Sequence, residues 1–447
     1  MTMDLSDPTA VEDYSASGEV LNRELRIGGI PYVSTATDIS SLPEETPLWS
    51  RWWKTYLRGG SASYRGRVSG GLSIVDMFCG CGGFSLGVVE AARALGLRAV
   101  IKLAVDIDDA ALSVFRANHD TERTLHANVG GLVDFQLRNR GKEADFVYPP
   151  VPIHKDLENL RGKIDIMLAG PPCQGYSNLN NRTRRSDPRN LLYLEAVACA
   201  IAVGARAVIV ENVPDVVNDR SEIVDTSIAV LRRSGYHITS AVLAANDLGF
   251  AQSRRRFFLA ASRQQVLDLE ALSRSLQKPA TTVRWALEDI VDSSSDQILD
   301  ASPVLSADNR LRIDYLFDHD LYELPDKERP DCHRNGHTYP SVYGRLRWDS
   351  AAGTITTGYM TPGRGRFVHP SRRRTLTPRE AARLQGFPDS FKFHSEDVTR
   401  PTKNDLAKWI GDAVPPILGY VSALAVVPGF ISGTQNVIEA QKESRGR

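Results

Sequence analysis

The chain has 447 residues, 42% hydrophobic and 24% charged, an ordinary balance for a soluble globular protein with room for a full core and two domains. Its formal net charge is zero, which argues against a uniformly basic nucleic-acid binder. Five cysteines at irregular spacing exclude a disulfide framework and fit a reducing compartment. No apolar run approaches the roughly 20 residues needed to cross a bilayer, and the N-terminus lacks a basic segment followed by an apolar one, so the expected address is the cytoplasm.

Residues 1–70 read as an N-terminal extension. The first 48 residues carry nine acidic side chains against two arginines, a balance of −7, which leaves +7 for the remainder. An aromatic segment, Trp49-Ser-Arg-Trp52-Trp53-Lys-Thr-Tyr56, and a Gly/Ser/Arg-rich linker follow. From residue 71 to about 280 strands and helices alternate. Strands are expected at 73–78, 99–105, 164–169, 207–210, 236–243 and 256–261, and helices at 84–95, 109–118, 191–203 and 223–234. Such alternation implies an α/β fold, a Rossmann-like doubly wound and mostly parallel sheet with helices on both faces. Residues 281–404 lose the alternation and read as a second, smaller and irregular domain ending in a helix over 376–387, with Thr377 as N-cap and Pro378 in the first turn. Residues 405–430 return to apolar helical character and are expected to pack back on the first domain; 431–447 read as a tail.

The chemistry concentrates where strands end. Asp76-Met-Phe78-Cys-Gly80-Cys-Gly82-Gly83-Phe84 closes the first strand and opens a helix, so a ligand could approach bare backbone and helix N-terminal N–H groups. Asp106 ends the next strand, where a carboxylate can bond ribose hydroxyls, with Ile107 beside it to cover an adenine face. The dinucleotide glycine rhythm is missing, which points to a nucleoside cofactor without a pyrophosphate. Gly170-Pro-Pro172-Cys173-Gln174-Gly-Tyr-Ser177 puts a thiol where a strand leaves the sheet. A lone Cys is more often packing, but here a thiolate could attack an electrophilic carbon. Glu211, at the end of the strand 207–210, could hold a raised pKa and donate a proton, or simply cap a helix. Arg254 and Arg256 share one strand face, as a fixed pair of guanidinium forks or an exposed basic edge.

These motifs, in this order, resemble the DNA cytosine-5 methyltransferase family. Leu376-Thr-Pro-Arg-Glu-Ala-Ala-Arg-Leu-Gln-Gly-Phe-Pro-Asp389 and Gly411-Asp412-Ala-Val414 match its last two motifs, and the resemblance covers about residues 72–427. It implies S-adenosylmethionine as cofactor, S-adenosylhomocysteine as product, no metal, and double-stranded DNA as partner. By the same resemblance Cys173 attacks C6 of a flipped cytosine, Glu211 bonds the N3 edge, and Arg256, with Arg254 close by, contacts the base carbonyl and holds Glu211. Asp76, Phe78, Gly80, Gly82, Gly83, Asp106, Ile107, Asn128, Pro172, Leu192, Asp412 and Val414 fall on cofactor positions. Gln174, Ser177 and Arg189 fall in a loop that closes over DNA. Thr356 matches a backbone-contacting Thr, and Tyr359, Arg364 and Arg366 lie in the Gly- and Arg-rich segment expected to read DNA. Asn128 and Asp412 depart from the family's acidic residue and Asn, and Ile107 replaces a frequent aromatic. Arginine clusters at 182–189, 254–256, 345–347 and 364–374 are expected to contact phosphates and bases.

The resemblance leads to a monomeric DNA methyltransferase of restriction-modification or phage defence, with a cognate restriction endonuclease or defence proteins as partners. The alternatives are a tRNA cytosine-5 methyltransferase, a catalytically silent DNA-binding protein and, least favoured, a nicotinamide oxidoreductase. Cys332, His333 and His337 lie close in sequence, but one Cys with two nearby His seldom makes a metal site.

Overall fold

The computed structural model describes residues 10–66, 68, 70–172, 191–292, 298–334, 341–394 and 400–431. The chain starts as an antiparallel meander of β1 (Ala10–Ser17), β2 (Val20–Ile27) and β3 (Ile30–Thr37), to which β4 (Ser63–Tyr64) adds. Gly28 and Gly29, both at positive φ (55° and 76°), make the two-residue turn that matches strand twist, so Ile27 pairs with Ile30. The intervening helix α1 (Leu48–Leu57) buries Trp52 and Trp53. Arg23 of β2 is 1% exposed, with its guanidinium 4.8 Å from the Trp52 ring, 5.4 Å from Tyr420 and 5.8 Å from Trp53, and its charge is met by buried Glu90 at 3.3 Å.

Among the described residues the main sheet has seven strands. In chain order they are β5 (Gly71–Met77), β6 (Arg98–Asp106), β7 (Thr124–His126), β12 (Ile166–Ala169), β13 (Ala207–Asn212), β14 (His237–Ala244) and β15 (Arg255–Ser262). Two short antiparallel pairs fall between, β8 (Val133–Asp134) with β11 (Val151–Pro152) and β9 (Leu137–Arg138) with β10 (Asp145–Phe146). The spatial order is β14-β15-β13-β12-β5-β6-β7. All neighbours from β13 to β7 run parallel, and β15 lies antiparallel between β13 and β14. Every residue of β12 and β13 is buried, as a parallel strand covered on both faces requires. The mostly parallel sheet read from the sequence is the one observed.

Connecting helices cover the sheet: α2 (Gly83–Ala94), α3 (Asp109–Asn118), the single turn α4 (Lys155–Glu158), α5 (Leu191–Val203) and α6 (Ile223–Arg233). After α7 (Leu269–Ser275), α8 (Val283–Leu287) and α9 (Ala307–Asp318) the chain is irregular. Among the described residues of this region β pairing is limited to isolated bridges such as Arg345 with Val368, while the twelve-residue α9 has no counterpart in the sequence reading. In α10 (Pro378–Gln385) Thr377 and Glu380 form a reciprocal capping box. The apolar stretch expected to be helical over 405–430 divides at Pro415-Pro416 into α11 (Lys403–Asp412) and α12 (Pro416–Leu424). α12 packs so closely on α2 that a Cβ at Gly87 would overlap the Pro416 carbonyl oxygen. No helix among the described residues is long and apolar enough to cross a membrane.

Candidate active site

The loop from β5 to α2 turns sharply, with Phe78, Gly80 and Gly82 all at positive φ (60°, 51° and 100°). Asp106, at the end of the adjacent strand β6, holds it. Asp106 Oδ2 accepts from Gly80 N–H at 2.8 Å and Oδ1 from Asp108 N–H at 2.9 Å. Asp76 lies beneath the loop, 1% exposed, and accepts from Ser85 Oγ at 2.6 Å; burial pushes its carboxyl up to about 7. His119, a residue the sequence reading passed over, closes the other side. Its Nε2 lies 3.1 Å from Gly82 O, and a side chain at Gly82 would run into the imidazole. Burial pushes His119 down to about 4, so the ring is neutral at ordinary pH, and since a carbonyl oxygen can only accept, the proton sits on Nε2. Burial also raises the Cys79 and Cys81 thiols, Cys81 to about 12, which makes both packing groups rather than nucleophiles.

Ile107 projects beside this loop at 71% exposure, an apolar surface next to bare glycine backbone. Asp108 caps α3 and accepts from Trp409 Nε1 at 3.2 Å and Lys408 Nζ at 3.4 Å, which ties α11 to the same edge. Asp412 is exposed on α11 with Lys408 Nζ at 3.8 Å, and Val414 is buried where the chain passes Gly83. Asn128 bonds its own turn, accepting from Gly130 N–H at 3.1 Å, and stays exposed. Pro172 and Leu192 are half-buried, on either side of residues 173–190.

Glu211 follows from strand register. Ala169 pairs with Val210 across parallel β12 and β13, so Glu211 stands one step beyond, beside Gly170. A Cβ at Gly170 would lie 3.9 Å from Glu211 Oε2 and 4.0 Å from both Phe78 O and Val414 Cγ2, so these segments converge on one spot. Asn212 Nδ2 donates to Pro171 O at 3.3 Å and steadies the exit of the Gly-Pro-Pro segment. Glu211 is 7% exposed, and Arg256 Nε approaches its Oε1 to 2.8 Å. Burial raises the Glu211 pKa above the usual carboxylate value, with Arg256 and Arg254 pulling against it.

Arg254, expected close by Arg256, acts on the same Glu211 carboxyl and is held by backbone carbonyls. It is 3% exposed, and its Nη1 donates to Ile355 O at 2.7 Å and Gly411 O at 2.9 Å. It therefore clamps three segments together behind Glu211. Gln252 and Gln385, bonded at 2.6 Å, extend the clamp, and Gln385 Nε2 reaches Ile410 O and Ala413 O. Gly411 admits the Thr356–Thr357 backbone directly against it, which fixes Thr356 near this junction. Tyr359 departs from expectation: it is fully buried in the apolar cluster with Leu346, Ile355 and Phe367, so it offers no ring face to a base. Arg364 is exposed, its stem lying over Gly358, whereas Arg366 is tied to Glu323 at 2.7 Å and to the Tyr322 and Arg345 carbonyls. Cys173, Gln174, Ser177 and Arg189 lie outside the described residues, as do Arg182, Arg184, Arg185 and His337. Among the described residues no three His, Cys, Asp or Glu side chains gather as metal ligands.

Residues 72–426 match the family model for C-5 cytosine-specific DNA methylases. The chain is 41% identical to the type II methyltransferase M1.BsuMI of Bacillus subtilis over 355 residues, covering 79% of this chain and 80% of that protein. It is 29% identical to the type II methylase M.HgiDII of Herpetosiphon aurantiacus, covering 79% and 94%. Among solved structures, a prophage-encoded DNA modification methyltransferase of E. coli superposes with a TM-score of 0.54 at 24% identity, covering 80% of this chain and 99% of that one, a likeness of fold.

Proposed function

Because the chain belongs to the C-5 cytosine-specific DNA methylase family, we propose that it methylates C5 of a flipped cytosine in duplex DNA through a covalent Cys173–C6 adduct, as the modification partner of a restriction or phage-defence system. The observation that carries this reading is the buried Glu211–Arg256 pair at the strand end next to Gly170, three residues before Cys173. Burial raises this carboxyl above the usual value and so favours its protonated form, and a guanidinium at 2.8 Å orients it.

The residues fit S-adenosylmethionine. Glycine backbone at Gly80, Gly82 and Gly83 leaves room for the amino-acid end, and Asp106 keeps carboxylate lone pairs for ribose hydroxyls while bracing the loop. Exposed Ile107 offers a face for adenine. Asp76 and His119 act through the loop: one braces α2 through Ser85, the other holds the Gly82 carbonyl. When bound, the cofactor supplies an electrophilic methyl group.

In the proposed sequence the Cys173 thiolate bonds C6 while the Glu211 carboxyl gives its proton to N3, which puts the electron pair at C5. Arg256 balances the carboxylate that results. After methyl transfer, water takes the C5 proton, the C6–S bond breaks with its electrons returning to the Cys173 thiolate, and N3 gives its proton back to the Glu211 carboxylate, which restores the ring double bond and the enzyme. The type II character of the two relatives supports the restriction-modification setting.

The test is bisulfite sequencing of DNA from cells expressing the intact protein. Protected cytosines in one short sequence context support the reading. An unmodified genome refutes it, and methylated tRNA in the same cells would move the activity to RNA.

A further inference from the structure

Arginines dominate residues 341–374, but the structure neutralises most of them. Arg345 meets Asp320 at 3.2 Å, Arg366 meets Glu323 at 2.7 Å, and Arg373 meets Asp318 at 2.5 Å. Arg347 differs. It is exposed, and among the described residues no carboxylate lies within ion-pair distance of it. Its guanidinium sits 4.0 Å from the centroid of the Tyr322 ring. Tyr322 is itself anchored, its carbonyl accepting from Arg345 N–H at 2.9 Å and Arg366 Nη1 at 3.0 Å. Arg345 lies 4.2 Å from the Phe317 ring and 4.9 Å from Tyr322, so Arg347 is the open end of an interlocked arginine–aromatic cluster.

We propose that Arg347, seated on Tyr322, reads a guanine of the recognition sequence through its O6 and N7. This rests on the reading of the chain as a DNA methyltransferase. A guanidinium against an aromatic ring has given up much of its rotamer freedom before DNA arrives, and its N–H fork stays available for two parallel bonds. Guanine's major-groove edge presents two acceptors at matching separation. Phosphate attraction, by contrast, draws on unneutralised charge, and of the neighbouring arginines all but exposed Arg364 are already paired with carboxylates. What Arg347 adds is orientation more than field.

The test uses the full-length protein. The methylated sequence is first mapped for the wild type. Steady-state kinetics are then measured on duplexes carrying that sequence and each single-base change. Arg347→Met should lose roughly 10- to 100-fold in kcat/KM on the cognate duplex and stop discriminating at one G·C pair. Arg347→Lys, which keeps charge but lacks the fork, should lose discrimination at the same pair. Tyr322→Leu should shift in the same direction by a smaller factor. An unchanged Arg347→Met overturns the proposal. So does a uniform loss across all duplexes with a salt slope reduced by about one, the mark of a phosphate contact. Methylation by the wild type alongside either result leaves the parent function standing, whereas a wild type that methylates no DNA overturns both.

Discussion

Replacing Arg256 with Met should move the pH at which activity fails. The side chains of Arg256 and Glu211 are 14% and 9% exposed, and their closest atoms are 2.8 Å apart. With charge centres about 4 Å apart and an effective dielectric of about 20, their attraction is at most about 4 kcal/mol, or roughly 3 pH units. Shifts of about 1–3 units are usual for a carboxylate beside an arginine. In the wild type burial raises the Glu211 carboxyl, and Arg256 and then Arg254 oppose it. Without Arg256, burial faces Arg254 alone, so the pKa climbs further. Glu211 must carry its proton to protonate N3, so its limb of the rate profile is the one on which activity falls as pH rises. In Arg256→Met that limb should move up by about 1–3 units, while the plateau rate drops because a base contact is lost. The assay is single-turnover methyl transfer at saturating DNA and cofactor across pH. Glu211→Gln identifies the limb: it should remove it and lower turnover by roughly 10² or more. A limb that stays in place, or moves down, in Arg256→Met would refute the assignment of Glu211 as the proton donor.

Two stability predictions follow from buried charges. Glu90→Gln strips the carboxylate from Arg23, 1% exposed among aromatic rings, and should cost about 3–5 kcal/mol in urea unfolding. Arg23→Met should cost less, because Glu90 keeps Arg93 at 2.7 Å; the reverse order would contradict the account. The Asp76 carboxyl is raised from 3.8 to about 7, so between those values the folded chain binds a proton that the unfolded chain has released. Its contribution is therefore fully present below about 3.8 and lost as pH rises to about 7, on the order of 4 kcal/mol in all. Asp76→Asn should flatten that slope and gain on the wild type between pH 5 and pH 8; an equal gap at the two pH values would show that Asp76 does not titrate there.

The central sheet was legible because its two middle parallel strands are largely unbroken apolar runs, stopped at Gly170 and Glu211. Every residue of β12 and β13 is buried, and Glu211 stands in the sequence directly after the apolar run of β13. The N-terminal meander was not legible. Its inward positions include Arg23 and Ser34, polar residues that break the apolar alternation of a half-buried strand until Trp52, Trp53 and Tyr420 close around the arginine. Helix α9 was hidden by its mixed composition, with only Ile313 and Leu316 fully buried. The pairing of the arginines at 345 and 373 was hidden for a related reason. The acids that neutralise Arg345 and Arg373 stand 25 and 55 residues earlier, beyond any local pattern. Arg254 shares a strand face with Arg256, yet segments 101 and 157 residues away supply the carbonyls that hold it. Tyr359, set between glycines and arginines, looks like a recognition residue until Ile355 and Phe367 enclose it. His119 carried no motif at all; only the bend at Gly82 gives it a task.

The central claim is that Cys173 bonds cytosine C6. Duplex DNA in which 5-fluorocytosine replaces cytosine blocks the last step, because fluorine cannot leave C5 as the proton does. With S-adenosylmethionine present, the wild type should form a denaturation-resistant protein–DNA complex whose mass and peptide map place the link at Cys173, and Cys173→Ala should form none while still binding the cofactor. A wild type that methylates ordinary DNA but yields no such complex, or a Cys173→Ala variant that still transfers methyl groups, would contradict it.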